Sequence, residues 1–584
     1  MTRSKPLDLS HLRQTIPIMP TQRTLLLLLF LAGFVPRALG ADVGYFYGDE
    51  RINEAAKVLT GQLVPGQHFY PPLLNYLNAI AFAGLFALGV PLGWWDSLSG
   101  FRAQYFADPT VFFVTARLMV ASMGALLAPF AFLIARHFGL RVAAAVAIGL
   151  LASLFPLAIL LSHIAKGDVP LGAATALCFL MVARRVSQGK SGASWPEDSA
   201  IGWSFAVALS FKQSAVFSLF PLSLGMLFLL SQRYSFRIAL RSFFRALMIF
   251  VLIWAVLNVG IVLDFRRFLE FQSIQSAMSL SEYGEGWFGI AKMLRTSVNP
   301  QNGVGWVLAP VAAIGILAIR SEACKVTDKP LWLVLWSSSV TGAISLAFLA
   351  GTRQPDQLFV APFGEFLILA AVLVCGFSQS ASRILVLSSK IAIAASLLIF
   401  CYYAIPPVSQ ALRAPIADTV DAYLNSEHAE ERIVTMMPTE AKQAPDAWIW
   451  EQERLLRLAQ KYKIDLPEVA PETRTSKTAA DALFWVPLPQ AMYGLEDIKD
   501  GEETYDVQAH TWPLQTEEWR LEFWQRQSFS VFVLVDVAYH LNHRPSELIS
   551  LFFEEIISTC DLAKTFEPLK PIYLEYITEV YLCL

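Results

Sequence analysis

The chain has 584 residues, of which 55% are hydrophobic and 16% are charged, and its mean hydropathy is +0.48. About a quarter of the residues of a typical soluble domain are charged, so this composition excludes an ordinary soluble protein and indicates a polytopic membrane protein. Residues 411–584 contain 30 acidic and 15 basic residues, a net charge of −15, whereas the whole chain carries −3 and residues 1–410 therefore carry +12. The acidic tail argues against nucleic acid as a partner, because phosphate binding needs a basic face.

The first apolar run, TLLLLLFLAGFV, follows several basic residues. RALGA after it resembles a signal-peptide cleavage site, but many apolar segments follow, and we favour an uncleaved first span with a basic cytoplasmic end. Segments long enough to cross a membrane lie near 24–39, 73–92, 112–135, 142–161, 169–183, 201–211, 214–230, 246–263, 304–319, 331–350, 357–375 and 385–404.

Charge decides the topology. The basic connectors, near Arg136, Arg184, Arg233, Arg320 and Arg383, share the side of the N-terminus only if 73–92 does not cross. That segment begins YPPLLNYLNAI, and its prolines and asparagines suit an interfacial or re-entrant element. The sequence therefore predicts about 11 spans, with the N-terminus inside. Residues 40–110, 162–168, 264–303 and 351–356 and the tail then face the external side.

The tail mixes short apolar runs (IVTMM, LFWVPL, FSVFVLVDV) with helical patterns (WIWEQERLLRLAQKY, SELISLFFEEI). This alternation predicts a small α/β domain, with FSVFVLVDV as a buried strand. We expect a transmembrane catalytic domain over 1–405 and an external soluble domain over 406–584. Cys560 and Cys583 are the cysteines of the tail, where a disulfide is allowed but not implied, and no cysteine spacing indicates structural zinc.

The stretch YFYGDERINEAAKV, residues 45–58, lies in the first external loop. Its apolar residues recur at helical spacing, which predicts an amphipathic helix on the membrane, with Asp49 at the N-cap and Glu50 in the first turn. A simple cap is one interpretation. A carboxylate fixed at a helix start is also well placed to act as a base.

Two more external segments carry candidate residues. GQHFYPPLLNYL is either a proline-broken surface segment or a rigid corner that presents His68 and Tyr70 to a ligand. LLSHIAKGDVPL places His163, Lys166 and Asp168 in one short turn. Asp168 is either only a cap, with Pro170 in the first helical turn, or part of a turn that supplies acid and base groups to a cleft.

Three cations complete the set of candidates. Arg117 lies within an apolar span, where an unpaired charge is costly. Lys212 interrupts two short apolar segments, and Arg353 opens GTRQPDQLFVAP at an external helix start. Each of them alone is a weak indication of function. Together with external carboxylates, they suit an anionic lipid headgroup and a reacting hydroxyl.

The first-loop pattern GDERINEAAKVLTGQLVPGQHFYPPLLNYLNAI resembles the opening loop of GT-C superfamily glycosyltransferases, nearest to the protein O-mannosyltransferase and lipid A aminoarabinose transferase branches. SHIAKGDVPLGAATAL resembles their second acidic motif, and LSFKQSAVFSLFPLSL their lysine-broken pair of spans. GTRQPDQLFVAPFGEFLILAA resembles their late arginine-then-proline span. The resemblance covers about residues 20–405, in the same order.

This resemblance implies an inverting glycosyltransferase with a polyprenyl-phosphate-sugar donor, bound in an inner membrane. Asp49 would be the general base, and Glu50 or Asp168 would orient the acceptor or the base. A second set of side chains would bind the donor phosphate or contact the substrates: Arg117, Lys212, Arg353, His68 and Lys166 for the phosphate, with Tyr70 and His163 as further contacts.

The chain departs from the aminoarabinose branch at Tyr70, where that branch has a lysine that meets the donor phosphate. The phosphate role therefore moves to other cations. Some relatives bind a divalent metal and many do not, so a metal is possible and no cofactor is required. The alternatives are a transporter or flippase of a lipid-linked intermediate, and a structural subunit of an envelope assembly.

Overall fold

The computed structural model describes residues 20–42, 50, 52–65, 68, 70–107, 110–187, 195–282, 286–351, 356–411, 413, 416–428, 431–435, 483–485, 520–526, 528–535, 537, 547–567 and 577–583. Helices dominate these parts of the chain. In chain order they are α1 Pro20–Ala38, α2 Ile52–Leu59, α3 Leu73–Gly89, α4 Leu98–Ala107, α5 Thr110–Ala125, α6 Leu127–His137, α7 Val142–Ser153, α8 Pro156–Leu161, α9 Asp168–Ser187, α10 Trp195–Phe211, α11 Val216–Arg233, α12 Phe236–Leu257, α13 Val259–Leu263, α14 Phe265–Glu282, α15 Gly286–Val298, α16 Leu308–Ala318, α17 Lys329–Ala350, α18 Val360–Phe377, α19 Arg383–Ala411, α20 Ile416–Glu427, α21 Leu521–Arg526 and α22 Glu547–Thr559.

The helices bear out a multi-pass membrane protein. Within the described residues, seven helical segments are long and apolar enough to cross a membrane: Thr110–His137, Asp168–Ser187, Gln213–Arg233, Phe236–Leu257, Lys329–Ala350, Gln357–Phe377 and Arg383–Ser409. Helices also occupy the other expected spans, but α1, α7, α10 and α16 are shorter or less apolar than this standard. The count of 11 spans stays a prediction.

Two predicted boundaries differ in the structure. The span expected over 246–263 is α12, which begins at Phe236 because the Ser235 side chain accepts a hydrogen bond from the Ile238 N–H at 3.3 Å. The cap therefore extends the helix back through Arg237, Arg241 and Arg245, which belong to the basic connector predicted near Arg233. The segment 73–92 is the 17-residue apolar helix α3, and its predicted interfacial position stays a prediction.

The chain forms two compact units. One comprises the described parts of Met1–Leu39, Lys57–Ala79 and Ala116–Val408. Within it, α9 packs against α6, α10 and α18 and is buried along most of its length. At the C-terminal end of α9 the Arg185 Nε donates to the Asp198 Oδ1 at 2.7 Å, and both side chains are buried. This ion pair fixes α9 to α10, opposite the end that carries the candidate residues.

The other unit comprises the described parts of Gly40–Ala56, Ile80–Thr115 and Ser409–Leu584. It contains a five-stranded sheet in the order β2-β1-β3-β5-β4. The strands are β1 Arg432–Thr435, β2 Leu483–Trp485, β3 Phe529–Val535, β4 Asp561–Phe566 and β5 Thr578–Leu582. β1 is parallel to β2 and β3, whereas β5 is antiparallel to β3 and β4.

The central strand β3 confirms the buried strand expected at FSVFVLVDV. Phe532 and Leu534 pack into one apolar cluster with residues of α22, while Val531 and Val533 pack into a second with residues of α20. A strand covered on both faces reads as a continuous apolar run. The helix expected over WIWEQERLLRLAQKY lies outside the described residues.

A disulfide joins Cys560, after α22, to Cys583, after β5. Their Cα atoms are 4.5 Å apart, within the range that a disulfide bridges. The bond ties the last strand to the helix that covers the sheet. It supplies the pairing that the sequence left open.

Candidate functional site

The turn before α9 is fixed by backbone geometry. The Lys166 N–H donates to the Ile164 carbonyl at 2.8 Å, and the Leu171 N–H donates to the Gly167 carbonyl at 2.9 Å. A Cβ at Gly167 would lie 2.5 Å from the Phe211 carbonyl oxygen. Only glycine therefore lets this turn approach the end of α10. The approach brings Asp168 opposite Lys212.

Lys212 lies in the break that the sequence predicted between two apolar helices. Its backbone is extended between the end of α10 and the 3-10 turn Gln213–Ala215. The Lys212 ammonium donates to the Asp168 Oδ1. Lys212 is 9% exposed and Asp168 3%, so this is a nearly buried ion pair. A pair of this kind is stable only with both partners present.

A second lysine and an aromatic ring complete this site. The Lys166 Nζ lies 5.7 Å and the Lys212 Nζ 5.9 Å from the centre of the Tyr70 ring. The Lys166 Nζ also donates to the Oε1 of Gln357 at 3.4 Å, and Gln357 lies just before α18. We call Tyr70, Lys166, Asp168, Lys212 and Gln357 the Tyr70 cluster. Ammonium groups at this distance are attracted to the ring face.

His163 is held neutral beside this turn. Its Nε2 donates to the Leu39 carbonyl at 2.8 Å, which ties α1 to the segment after α8. Burial, together with the positive charges of Arg117 and Arg37, lowers the pKa of His163 to about 4, against the opposing effect of its backbone hydrogen bonds. His163 is therefore a neutral donor near pH 7. Arg117 is buried in α5, close enough to act on His163 electrostatically.

The segment that carries Tyr70 is anchored to the region of α13 and α14. The His68 Nε2 lies 2.9 Å from the Asp264 Oδ2, and the Gln272 Nε2 donates to the His68 carbonyl at 3.3 Å. The Tyr76 hydroxyl donates to the Leu63 carbonyl at 2.8 Å and accepts from the Gly260 N–H at 3.0 Å. These bonds fix the segment on both sides of Tyr70.

The structure thus brings Tyr70, Lys166, Asp168 and Lys212 together. It gives His68 the Asp264 carboxylate as a partner. Asp49 and Arg353 lie outside the described residues. Glu50 is buried and belongs to the unit with the five-stranded sheet.

The helix predicted after Asp49 is confirmed as α2, Ile52–Leu59. Its faces differ from the expectation of a simple amphipathic helix. Ile52 and Ala55 are buried as expected, but Leu59 is exposed, and Glu54 and Lys57 are buried. The 3.6-residue period identified the helix, but it could not show that polar side chains would be covered as well.

Sequence reasoning missed Gln357 and Asp264. Gln357 stands in the quoted motif GTRQPDQLFVAP, four residues after the arginine that drew attention, and an uncharged amide gives no signal of its own. Asp264 ends the apolar run before Arg266 and Arg267. A carboxylate at the end of a span was its only signal, and its partner is 196 residues away.

The Tyr70 cluster is suited to an anion. Two ammonium groups and one carboxylate leave a net charge of +1, and the cations lie in a largely desolvated place where electrostatic attraction is strong. Charge-assisted hydrogen bonds to phosphate are the strongest contacts that such groups make. Within the described ranges, no three His, Cys, Asp or Glu side chains are arranged to hold a metal ion.

Comparisons with known proteins find no family model and no curated protein that matches. Solved structures to which the chain is similar include ArnT from Cupriavidus metallidurans bound to undecaprenyl phosphate (12% identity, TM-score 0.48, covering 96% of this chain and 97% of that chain). The archaeal oligosaccharyltransferase AglB from Archaeoglobus fulgidus, in complex with an inhibitory peptide and a dolichol-phosphate, shows 11% identity and a TM-score of 0.45, covering 91% of this chain and 71% of that chain.

The S. cerevisiae protein O-mannosyltransferase Pmt1-Pmt2 complex bound to the sugar donor shows 19% identity and a TM-score of 0.34, covering 46% of this chain and 36% of that chain. The chain thus spans less than two thirds of the yeast chain's length. All three are GT-C superfamily glycosyltransferases, the superfamily that the sequence motifs resemble.

Proposed function

We propose that the chain is an inverting glycosyltransferase of the membrane. It transfers a sugar from a polyprenyl-phosphate-linked donor to a hydroxyl of an external protein, lipid or envelope glycan. The observation that carries this proposal is the Tyr70 cluster, in which two lysines and a carboxylate meet at the start of a buried apolar helix. A lipid-linked phosphate enters such a place from the bilayer, with its chain in the apolar phase.

The charge of the cluster suits the phosphate of such a donor. The donor is a phosphodiester with one negative charge, and the net charge of the cluster is +1. When the sugar leaves, the phosphate gains a second negative charge. Lys166 and Lys212 stabilise that charge by electrostatic attraction. Arg117 and Arg353 are the further cations that we assign to this task, and Tyr70 and His163 contact the substrates.

The acid and base roles follow from the partners of each carboxylate. Asp168 already accepts from Lys212, which makes it an orienting group and a weak candidate for the base. We assign the base to Asp49, with Glu50 as an orienting group. The acceptor oxygen attacks the anomeric carbon as its proton passes to Asp49. The bond from that carbon to the phosphate oxygen breaks on the opposite face, and the configuration inverts.

The disulfide supports an external position for the tail. Disulfides persist in oxidising compartments, such as the bacterial periplasm, and are rare in the cytosol. Cys560 and Cys583 are bonded, whereas the free cysteines are Cys178, Cys324, Cys375 and Cys401. We propose an inner-membrane protein with a cytoplasmic N-terminus and a periplasmic domain over 406–584. A reporter fused at residue 100 tests this, since cytoplasmic activity there contradicts the topology.

The test of function is sugar transfer by the purified protein from defined polyprenyl-phosphate-sugars. The reaction is measured by the release of polyprenyl phosphate. We expect Asp49→Asn to lower the rate at least 100-fold, since a general base contributes about 10²–10⁴-fold. Asp96→Asn is the matched control, because Asp96 is exposed in the same predicted loop. Transfer by Asp49→Asn at the control rate contradicts the base role. If wild-type protein transfers none of the sugars tested but moves the lipids between leaflets, the flippase alternative holds.

A further inference from the structure

One carboxylate lies inside an apolar span and has no role in the proposed reaction. Glu365 belongs to the 21-residue apolar segment Gln357–Phe377 and is only 1% exposed. It is eight residues beyond Gln357, so it lies about 12 Å further into the segment at the rise of a helix. Ionisable residues at such positions are rare and costly, and usually mark a function.

Among the described residues, no cation lies in ion-pair contact with the side chain of Glu365. Both of its carboxyl oxygens are buried without a hydrogen bond of ordinary geometry. In the part of the chain that the structure describes, no lysine, arginine or histidine forms an ion pair with it. An ionised carboxylate would therefore be both desolvated and uncompensated, which costs several kcal/mol.

The hydroxyls beside Glu365 are those of Thr175 on α9 and Ser339 on α17, and the Cys178 thiol on α9 is close enough to interact with it electrostatically. The Thr175 hydroxyl donates to the Gly172 carbonyl at 3.1 Å, and the Ser339 hydroxyl donates to the Leu335 carbonyl at 3.2 Å. Each hydroxyl has one hydrogen, which its own helix already uses. What each can still offer Glu365 is a lone pair, and a lone pair needs a donor.

We propose that Glu365 is a protonated carboxylic acid inside the membrane part. As a neutral acid it donates its one O–H to Thr175 or Ser339 and has no charge to desolvate. It then joins α18 to α9 or α17 by a hydrogen bond.

The position of Glu365 connects it to the Tyr70 cluster. Thr175 is seven residues after Asp168, which places the two on the same face of α9, about 10 Å apart along its axis. A Cβ at Gly172, between them, would lie 3.4 Å from a Val360 methyl group at the start of α18. Because α18 follows directly after Gln357, its position on α9 sets where Gln357 meets Lys166. Glu365 is thus a positioning residue for that contact.

Infrared spectroscopy tests the protonation state. The infrared difference spectrum of purified wild type minus Glu365→Gln, taken near neutral pH, should show the C=O stretch of a carboxylic acid. This band should shift in D₂O. Glu322→Gln is the matched control, because Glu322 is exposed and should give carboxylate bands instead. Carboxylate bands in place of the acid C=O stretch in this difference spectrum overturn the proposal. Glutamine keeps the shape and a donor of the neutral acid, so we expect the variant to fold. The outcome of this measurement is independent of whether sugar transfer is found.

Discussion

Substitutions in the Lys212–Asp168 pair distinguish a structural role of Lys212 from a role in phosphate binding. Lys212→Met leaves the Asp168 carboxylate, only 3% exposed, without its donor. Removing one partner of a buried pair costs about 3–5 kcal/mol of stability, largely because a lone charge stays behind. Lys166 is near the same ring and offsets part of that cost. We therefore expect about 3 kcal/mol of destabilisation for Lys212→Met.

The double variant Lys212→Met/Asp168→Asn removes the remaining charge. We expect it to recover at least half of the lost stability, measured by thermal unfolding of purified protein in detergent. Binding should not recover, because the cluster keeps only one of its two lysines, Lys166, for the phosphate. A charge-assisted hydrogen bond is worth about 1.5–3 kcal/mol, and each 1.4 kcal/mol is tenfold in affinity. The Kd for undecaprenyl phosphate should therefore rise about 10- to 100-fold.

Lys390→Met is the control, since Lys390 is exposed on α19, far along the chain from this site. Two results would refute the reasoning. If the double variant is no more stable than Lys212→Met, the two side chains do not compensate each other. If it is stable and binds undecaprenyl phosphate like wild type, Lys212 is a structural residue and the phosphate role is wrong.

Three further predictions concern the same region and the tail. Tyr70→Phe should keep donor binding and Tyr70→Leu should weaken it about fivefold, because a ring–ammonium contact is worth about 0.5–1 kcal/mol at each lysine. The pKa of His163 is lowered to about 4 in the folded protein, whereas the ordinary value of about 6.5 applies to the unfolded chain. As the pH falls below about 6.5, His163 is therefore protonated in the unfolded chain before it is protonated in the folded protein. Stability should therefore fall by up to about 3 kcal/mol between pH 6.5 and 4, and less in His163→Gln. Cys560→Ser should destabilise the tail by about 3 kcal/mol, the value for a loop of 23 residues.

Each of these has a result that contradicts it. If Tyr70→Leu and Tyr70→Phe bind the donor equally well, the aromatic ring does not contribute to donor binding. A stability curve of His163→Gln that parallels wild type from pH 6.5 to 4 assigns the acid sensitivity to other groups. For the disulfide, the control is Cys401→Ser, at an exposed free cysteine. Alkylation of both Cys560 and Cys583 in the unreduced protein would show that they are not bonded.

Much of the candidate site was accessible from the sequence. Lys166 and Asp168 were predicted as candidates because they lie with His163 in one short external turn, and Lys212 because it interrupts two apolar segments. That reasoning is local: it uses what stands next to a residue in the chain. It could not find Gln357, since an amide beside an apolar helix costs little and gives no pattern. Nor could it pair His68 with Asp264, since each is equally plausible as a solvated surface residue.

The membrane class, the position of most apolar helices and the break at Lys212 can be read from the sequence, because hydropathy and helical period are properties of consecutive residues. Which charges meet depends on the tertiary structure. Lys212 reaches Asp168 across 44 residues, and this depends on a backbone approach at Gly167 that leaves no room for a Cβ. The same holds for Glu365, which the sequence shows as one acid in an apolar run. That its neighbours offer lone pairs and no cation follows from the packing of three helices, and no periodicity along one helix encodes that.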